Sequence, residues 1–166
     1  MISIRKLNPE DIQQFFLWRD ADIYIHNMLR REIIEHEEGK RVIFIALINL
    51  NIIGTVQFVP KHYDTDLADG ISTAHLQSLL VDTNYRRQGI GFQLIKTVEF
   101  EAVQRNFQRL TIMVESNNLP ALNLYHKTGF AFFKNSNNRW RGMEYCVQCL
   151  EKSVEEDSDK SPTTNL

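Results

Sequence analysis

The apolar positions follow two rhythms, and the places where one gives way to the other divide the chain into elements. Residues 1–7 alternate apolar and polar side chains at the strand period of two. Asn8-Pro9-Glu10-Asp11 then begins a helix, with a capping side chain, a proline at the first helical position and two acids in the first turn. This helix is predicted to bury Ile12, Phe15, Phe16 and Trp18. A second helix over residues 22–38 turns Ile23, Met28, Ile33 and Ile34 inward and stops at Gly39. Residues 41–50 and 52–59 are β-rich runs that read as a hairpin joined at Asn51. Gly54 inside the second run marks a bulge or a close approach of another backbone, and Pro60 closes the strand. Residues 61–73, with Asp64, Asp66 and Asp69, read as a mobile loop at the rim of a site.

Residues 74–81 form the next strand, and a helix from Gly89 or Ile90 to about Arg105 follows. Its stripe is Ile90, Leu94, Val98 and Ala102, joined by Ile95 and Val103. Residues 110–114 form a short apolar strand. Asn117, Asn118 and Pro120 start another helix, which ends at Gly129 after Lys127 and Thr128. Residues 130–133 and 140–150 read as strands around a polar turn, Asn135-Ser136-Asn137-Asn138. No internal repeat is visible. The order β-α-α-β-β-β-α-β-α-β-β predicts an α/β fold of the α+β kind, a mixed sheet covered by helices.

At 166 residues and 43% hydrophobic content the chain fits one well-packed domain, predicted over residues 1–150. Residues 151–166 carry five acids and two lysines with almost no large apolar side chains, so they read as a disordered acidic tail. The net charge of −2 provides no general attraction to nucleic acid or to acidic membranes. Cys146 and Cys149 lie three residues apart in a strand-like run and face opposite sides, which suits neither a disulfide nor a chelate. No metal site is expected. The absence of a signal peptide or a long apolar run predicts a cytoplasmic protein. The sequence leaves a homodimer open.

The stretch from Leu79 to Phe92 carries the chemistry. An apolar strand turns through Asp82-Thr83-Asn84-Tyr85-Arg86-Arg87-Gln88-Gly89-Ile90-Gly91 into a helix. The first N–H groups of a helix lack intrahelical partners and sit at the positive end of its dipole, so such a junction binds anions. Gly89 and Gly91 let a phosphate approach the backbone, and Arg86 and Arg87 add positive charge. A Walker loop is excluded, because Phe92 and Gln93 follow Gly91 where Lys and Ser or Thr are required. A Rossmann fingerprint fits poorly, because the third glycine is missing and a hairpin precedes the site.

Arg86-Arg87-Gln88-Gly89-Ile90-Gly91 resembles the Arg/Gln-x-x-Gly-x-Gly/Ala signature of the GCN5-related N-acetyltransferases. Residues 118–130, with Asn118, Ala121, Leu124, Tyr125, Gly129 and Phe130, are similar to the same family's Asn-x-x-Ala…Leu-Tyr-x-x-x-Gly-Phe helix. One helix and one strand separate the two blocks, as in the family, and the strand order over residues 1–150 also matches. The resemblance implies the acyl-CoA N-acyltransferase fold, a mixed, mostly antiparallel sheet splayed at its central strands. It implies acetyl-CoA as donor, with backbone groups of Leu79, Leu80 and Val81 along the pantetheine arm. Amides from Arg87 through Gln88, Gly89, Ile90, Gly91 and Phe92 would hold the pyrophosphate, with Arg86 beside them and Asn118 on the pantetheine or adenine side.

The same resemblance makes Tyr125 the acid that returns a proton to the departing thiolate. The acceptor ammonium must lose a proton before it attacks, so a base or a water chain is needed. His75, eleven residues before Arg86, is one candidate, and on a regular strand it shares its face with Gln77, Leu79 and Val81. Glu115 is the second. A backbone N–H of Leu80 or Val81 could support the oxyanion. Family members that acetylate ribosomal-protein N-termini carry a glutamate where this chain has Met113, which argues against that base and that substrate group. The acceptor side offers Trp18, Tyr24, His26, Tyr63, Trp140 and Glu144, with Asp20, Asp22, Asp64, Asp66 and Asp69 suited to a cationic amine, without a signature for one acceptor. The reaction expected is transfer of acetyl from acetyl-CoA to a primary amine. The alternative is a non-catalytic acyl-CoA-binding module of the same fold.

Overall fold

A computed structural model describes residues 1–20 and 22–155. Seven strands form one sheet: β1 (Ile2–Lys6), β2 (Val42–Ile48), β3 (Asn51–Val59), β4 (Thr73–Val81), β5 (Arg109–Glu115), β6 (Ala131–Trp140) and β7 (Met143–Ser153). Their spatial order is β1-β2-β3-β4-β5-β7-β6. Every neighbouring pair is antiparallel except β4 and β5, which are parallel. The helices are α1 (Ile12–Trp18), α2 (Ile23–Glu37), α3 (Ile90–Gln104) and α4 (Leu119–Lys127). A short 3-10 turn, Pro9–Asp11, precedes α1.

Two apolar layers flank the sheet. On one face Ile90, Leu94, Ile95, Val98 and Ala102 of α3 pack with Leu122 and Tyr125 of α4 against Phe44, Val56, Phe58 and Leu76. On the other, Phe15 of α1 and Leu29 and Ile33 of α2 cover Ile43, Ile45, Leu47 and Ile52. The α3 stripe is the one read from its 3.6-residue period. The α2 stripe is not. Ile23 and Ile34 are exposed, and the inward positions are Leu29, Glu32 and Ile33. Two polar residues lie on that inward side, and each is satisfied by hydrogen bonds. The His36 ring accepts from Ile43 N–H and donates to Leu7 O at 2.8 Å, while Glu32 accepts from Gln57 Nε2 at 2.7 Å. An apolar count cannot see a stripe that includes bonded polar side chains.

Four other expectations shift. The hairpin turns at Asn49 and Leu50, both at positive φ, and Asn51 already belongs to β3. Gly54 is both a bulge neighbour and a close approach: a Cβ there would lie 3.1 Å from Leu80 O and 3.2 Å from Leu94 Cδ1. Asn135–Asn138 is not a turn but the middle of β6, paired with residues of β7 from Tyr145 to Gln148; the chain reverses at Arg141 and Gly142, both at positive φ. The domain does not stop at residue 150. Glu151, Lys152 and Ser153 continue β7 against β5, and Val154 is buried in the α3 layer with its N–H donating to Gln108 O. The remainder of the predicted acidic tail, residues 156–166, lies outside the described residues.

The segment over residues 61–73 is pinned rather than free. Leu67 and Ala68 are buried, Lys134 bonds Asp64 at 2.8 Å and Asp66 at 3.1 Å, and Arg109 donates to Asp66 O. Asp69 accepts from the N–H groups of Ile71, Ser72 and Thr73, and these bonds hold its carboxyl below the usual range.

Candidate functional site

The parallel pair β4–β5 closes for only three rungs, Thr73↔Arg109, Ala74↔Leu110 and His75↔Thr111. Beyond His75 the two strands part. β4 stays on β3 up to Gly54↔Val81, and β5 stays on β7 up to Glu115↔Val147. The result is a V-shaped cleft in the middle of the sheet, walled by strand edges whose backbone groups face the gap. The cause of the parting is local. Between Thr55↔Leu80 and Gln57↔Gln77, β4 uses one residue more than β3, and Ser78 sits at φ +54. A bulge of this kind bends a strand and ends its pairing.

The bulge also reverses the side-chain alternation. Ala74 and Leu76 lie in the α3 layer, and so do Leu79 and Val81. His75 therefore does not share a face with Leu79 and Val81, as a regular strand would require. It faces the α1–α2 side with Gln77. A single serine inside a strand-like run carries no signal for this.

The loop at the mouth of the cleft is built as the sequence suggests. Gly89 caps α3 at φ +79, and a Cβ added there would meet nothing within 4 Å, so the space above it is open. The first intrahelical bond of α3 is Gln93 N–H to Gly89 O, which leaves the N–H groups of Ile90, Gly91 and Phe92 without intrahelical acceptors. The Ile90 side chain is buried while Phe92 is exposed under Lys96. Arg87 lies at φ +61 and is exposed, as is Gln88; Arg86 Nε donates to Val81 O at 3.1 Å and so ties the loop to the strand end. A Cβ on Gly91 would come within 3.2 Å of Leu124 Cδ2, so α4 packs directly on the start of α3. That contact joins the two sequence blocks in space.

Asn118 caps α4, its Oδ1 accepting from Ala121 N–H at 3.3 Å. Tyr125 is buried beside Phe130, and burial raises its phenol to about 12, so it is protonated at neutral pH. Glu115, at the far end of β5, is exposed. His75 is fully enclosed. Burial first, then His62 and Arg41, lower its imidazole to about 3. Thr111 Oγ1 lies 2.8 Å from His75 Nδ1 and 2.6 Å from Leu67 O. A carbonyl only accepts, so the one hydroxyl proton is spent on Leu67 and Nδ1–H donates to Thr111. The tautomer that follows leaves the lone pair on Nε2. Met113 is half-buried opposite Cys149.

The acceptor side differs from the simple acidic rim. Asp64 and Asp66 are paired with Lys134, and Asp69 is spent on its own turn. Asp22 caps Ile25 N–H and pairs with Arg141 at 2.6 Å. Tyr24 meets Trp140 edge-on with centroids 5.1 Å apart. The start of α2 and the β6–β7 turn thus clasp each other. Beneath α2, Arg41 bonds Glu35 Oε2 at 2.8 Å and approaches Gln57 and Glu32. These polar partners were not singled out in the sequence, since no spacing relates Glu32, Arg41 and Gln57.

Cys146 is exposed and Cys149 buried, as residues three apart on a strand should be. Among the described residues no helix is long and apolar enough to cross a membrane, and no group of three or more His, Cys, Asp or Glu is placed to hold a metal ion.

Comparison with known proteins agrees with this architecture. The chain is 24% identical over 130 residues to N-alpha-acetyltransferase 30 of Xenopus laevis, covering 78% of this chain and 42% of that protein. It thus spans less than half the length of the curated relatives it matches. The fold superposes on the ribosomal-protein-S18-alanine N-acetyltransferase of Escherichia coli with TM-score 0.73 at 17% identity, over 97% of this chain and 99% of the other. It also superposes on an acetyltransferase from Elizabethkingia anophelis solved with acetyl-CoA bound, with TM-score 0.64 at 20% identity over 92% and 98%. A sequence model of the acetyltransferase (GNAT) family matches residues 5–130, a span that holds the cleft, the glycine loop and Tyr125. The chain belongs to that family.

Proposed function

We propose that this protein transfers an acetyl group from acetyl-CoA to a primary amine, with both substrates held in the cleft between β4 and β5. The observation that carries the reading is the opened β4–β5 pair ending at a glycine-capped helix. An extended pantetheine arm has strand-like amides, so the free edge of β4 at Leu79, Leu80 and Val81 suits it as an added strand would. The N–H groups at the start of α3 suit a pyrophosphate, with the open space over Gly89 to receive it. Arg86, Arg87 and Gln88 border that space, and Asn118 stands at the start of the neighbouring helix.

Acetyl-CoA supplies the activated acyl group. The chain's own residues then have two proton tasks. The acceptor ammonium must lose a proton; His75 offers Nε2 as an acceptor atom, but its enclosure and an imidazole lowered to about 3 make it a weak base, so a water chain suits this task better than direct transfer to the ring. Glu115 is the second candidate. As the amine nitrogen bonds the acyl carbon, the carbon–sulfur bond breaks, the Tyr125 phenol gives its proton to the departing sulfur, and the proton shed by the new amide nitrogen restores the phenol through solvent. Its raised pKa keeps that proton available through the neutral range. The relatives named N-alpha-acetyltransferase and ribosomal-protein N-acetyltransferase favour a peptide or protein amine as acceptor over a small molecule.

The test uses Gly89→Asp. Aspartate tolerates the left-handed backbone better than most residues and places a carboxylate in the open space. Acetyl-CoA affinity should fall roughly tenfold or more, with circular dichroism and melting temperature preserved. Unchanged affinity would remove the loop from the site. Tyr125→Phe should bind acetyl-CoA normally and release free thiol more slowly with an amine panel. Tight acetyl-CoA binding with no turnover on any amine would favour the non-catalytic acyl-CoA-binding module.

A further inference from the structure

Gly54 sits inside β3, where a glycine costs stability because it loses more chain freedom on folding and packs no side chain. Its backbone does not require it, since its φ lies outside the left-handed region that Gly89 occupies. What Gly54 provides is therefore space. A Cβ at this position would lie 3.1 Å from Leu80 O, 3.2 Å from Leu94 Cδ1 and 3.6 Å from Ala46 Cβ. Ala46 is its partner on β2, so two small residues side by side make a low place in the sheet. Leu94 of α3 fills it and is fully buried.

Each of the two tight contacts belongs to one half of the proposed donor site. Leu80 O is main chain of the β4 edge, between Leu79 and Val81. Leu94 stands one turn beyond Ile90 on the same stripe of α3. Its depth in the sheet therefore sets how far the first turn of α3, with the N–H groups of Ile90, Gly91 and Phe92, stands from the strands. The end of β4 is fastened to β3 at the same place. Val81 pairs with Gly54, and Asp82 N–H donates to Ile53 O at 2.7 Å. Gly54 thus meets the strand edge and the helix at once.

We propose that Gly54 is a positioning residue, which sets the spacing between the β4 edge and the start of α3 to match the pantetheine arm and the pyrophosphate of one acyl-CoA. This inference rests on the acetyltransferase reading above. A methyl group at residue 54 would meet both neighbours inside ordinary van der Waals contact, so at least one of them must shift by a few tenths of an ångström. Leu80 O is main chain and has no torsion of its own to turn it away, and Leu94 is enclosed by the core. The shift therefore falls on the strand edge or on the helix. A ligand held at both ends loses by any mismatch between them, whereas a fragment that engages one end docks on an intact half.

The experiment measures the affinity of wild type and Gly54→Ala for acetyl-CoA and for 3′-phospho-ADP, which carries the pyrophosphate and no pantetheine arm. Acetyl-CoA affinity should fall about tenfold in Gly54→Ala, while 3′-phospho-ADP keeps its wild-type affinity to within about twofold. A glycine needed for packing alone would lower the melting temperature and leave both affinities of the folded protein unchanged. That result would overturn the proposal, as would equal losses on the two ligands. A wild-type protein that binds acetyl-CoA without any hold on 3′-phospho-ADP would overturn it too, because the helix end would then lie outside the site. If Gly54→Ala does not fold, Leu94→Val decides in its place. It shortens the side chain that enters the low place and should weaken acetyl-CoA about threefold with 3′-phospho-ADP unchanged; no selective loss there would overturn the proposal. If the wild-type protein binds neither ligand, the acetyltransferase reading fails; if it binds both and Gly54→Ala binds them equally well, only the role of Gly54 fails.

Discussion

His75 carries its imidazole into the sheet, bonded to Thr111 and ringed by His62 at 5.5 Å. Its folded pKa of about 3 lies below the ordinary 6.5, so the native state refuses a proton that the unfolded chain accepts. The sign follows directly. The contribution of neutral His75 to stability is complete above the unfolded pKa and is lost as pH falls from about 6.5 toward 3. The melting temperature should therefore drop between pH 7 and pH 4, and the drop should be shallower in His75→Gln. Parallel melting curves in the two proteins would show that the ring is not held neutral by the fold. Tyr125 shows the converse use of burial, since the same loss of solvent that silences a base keeps an acid protonated. Both groups are tuned by what surrounds them. Their positions alone could not announce it.

The elements place these residues by means of two short devices, the bulge at Ser78 and the left-handed cap at Gly89. One ends the pairing of β4 with β5, and the other starts the helix that faces the gap. β7 matters more than its apolar count suggests. Its last residues bring Glu151 to Arg109 and Lys152 to Glu99 and Thr128 O, and the strand delivers Val154 into the core. Ending the chain after Leu150 should cost on the order of 3 kcal/mol from the lost valine burial and strand bonds, read as a lower urea midpoint with an unchanged slope. A midpoint that stayed in place would return residues 151–155 to the status of a tail. The shortage of large apolar residues suggested such a tail because a strand edge held by backbone bonds and charge pairs leaves no hydrophobic trace.

In the whole molecule the cleft divides the sheet into two arms, β1 to β4 on one side and β5 to β7 on the other, closed at one end by three rungs. A ligand that bonds to the edge of β4 and to the start of α3 should therefore stabilise the folded protein. At a hundredfold excess over its Kd, acetyl-CoA should add about 2.7 kcal/mol and raise the melting temperature by about 5–10 °C. No shift at saturating acetyl-CoA would count against the cleft as its binding site. The element order, the α3 and α4 blocks and the glycine loop were legible along the chain, because helix periodicity, caps and glycine-dependent turns are written in neighbouring residues; the role expected of Tyr125 came from the family resemblance alone. Tertiary contacts decided the face of His75, its tautomer, the engagement of the rim aspartates and the buried partners of Glu32. Each depends on partners far apart in the chain: Thr111 for His75, Lys134 for Asp64, Arg41 and Gln57 for Glu32. A hydrogen bond between distant residues has no period, and only the folded backbone brings its two ends together.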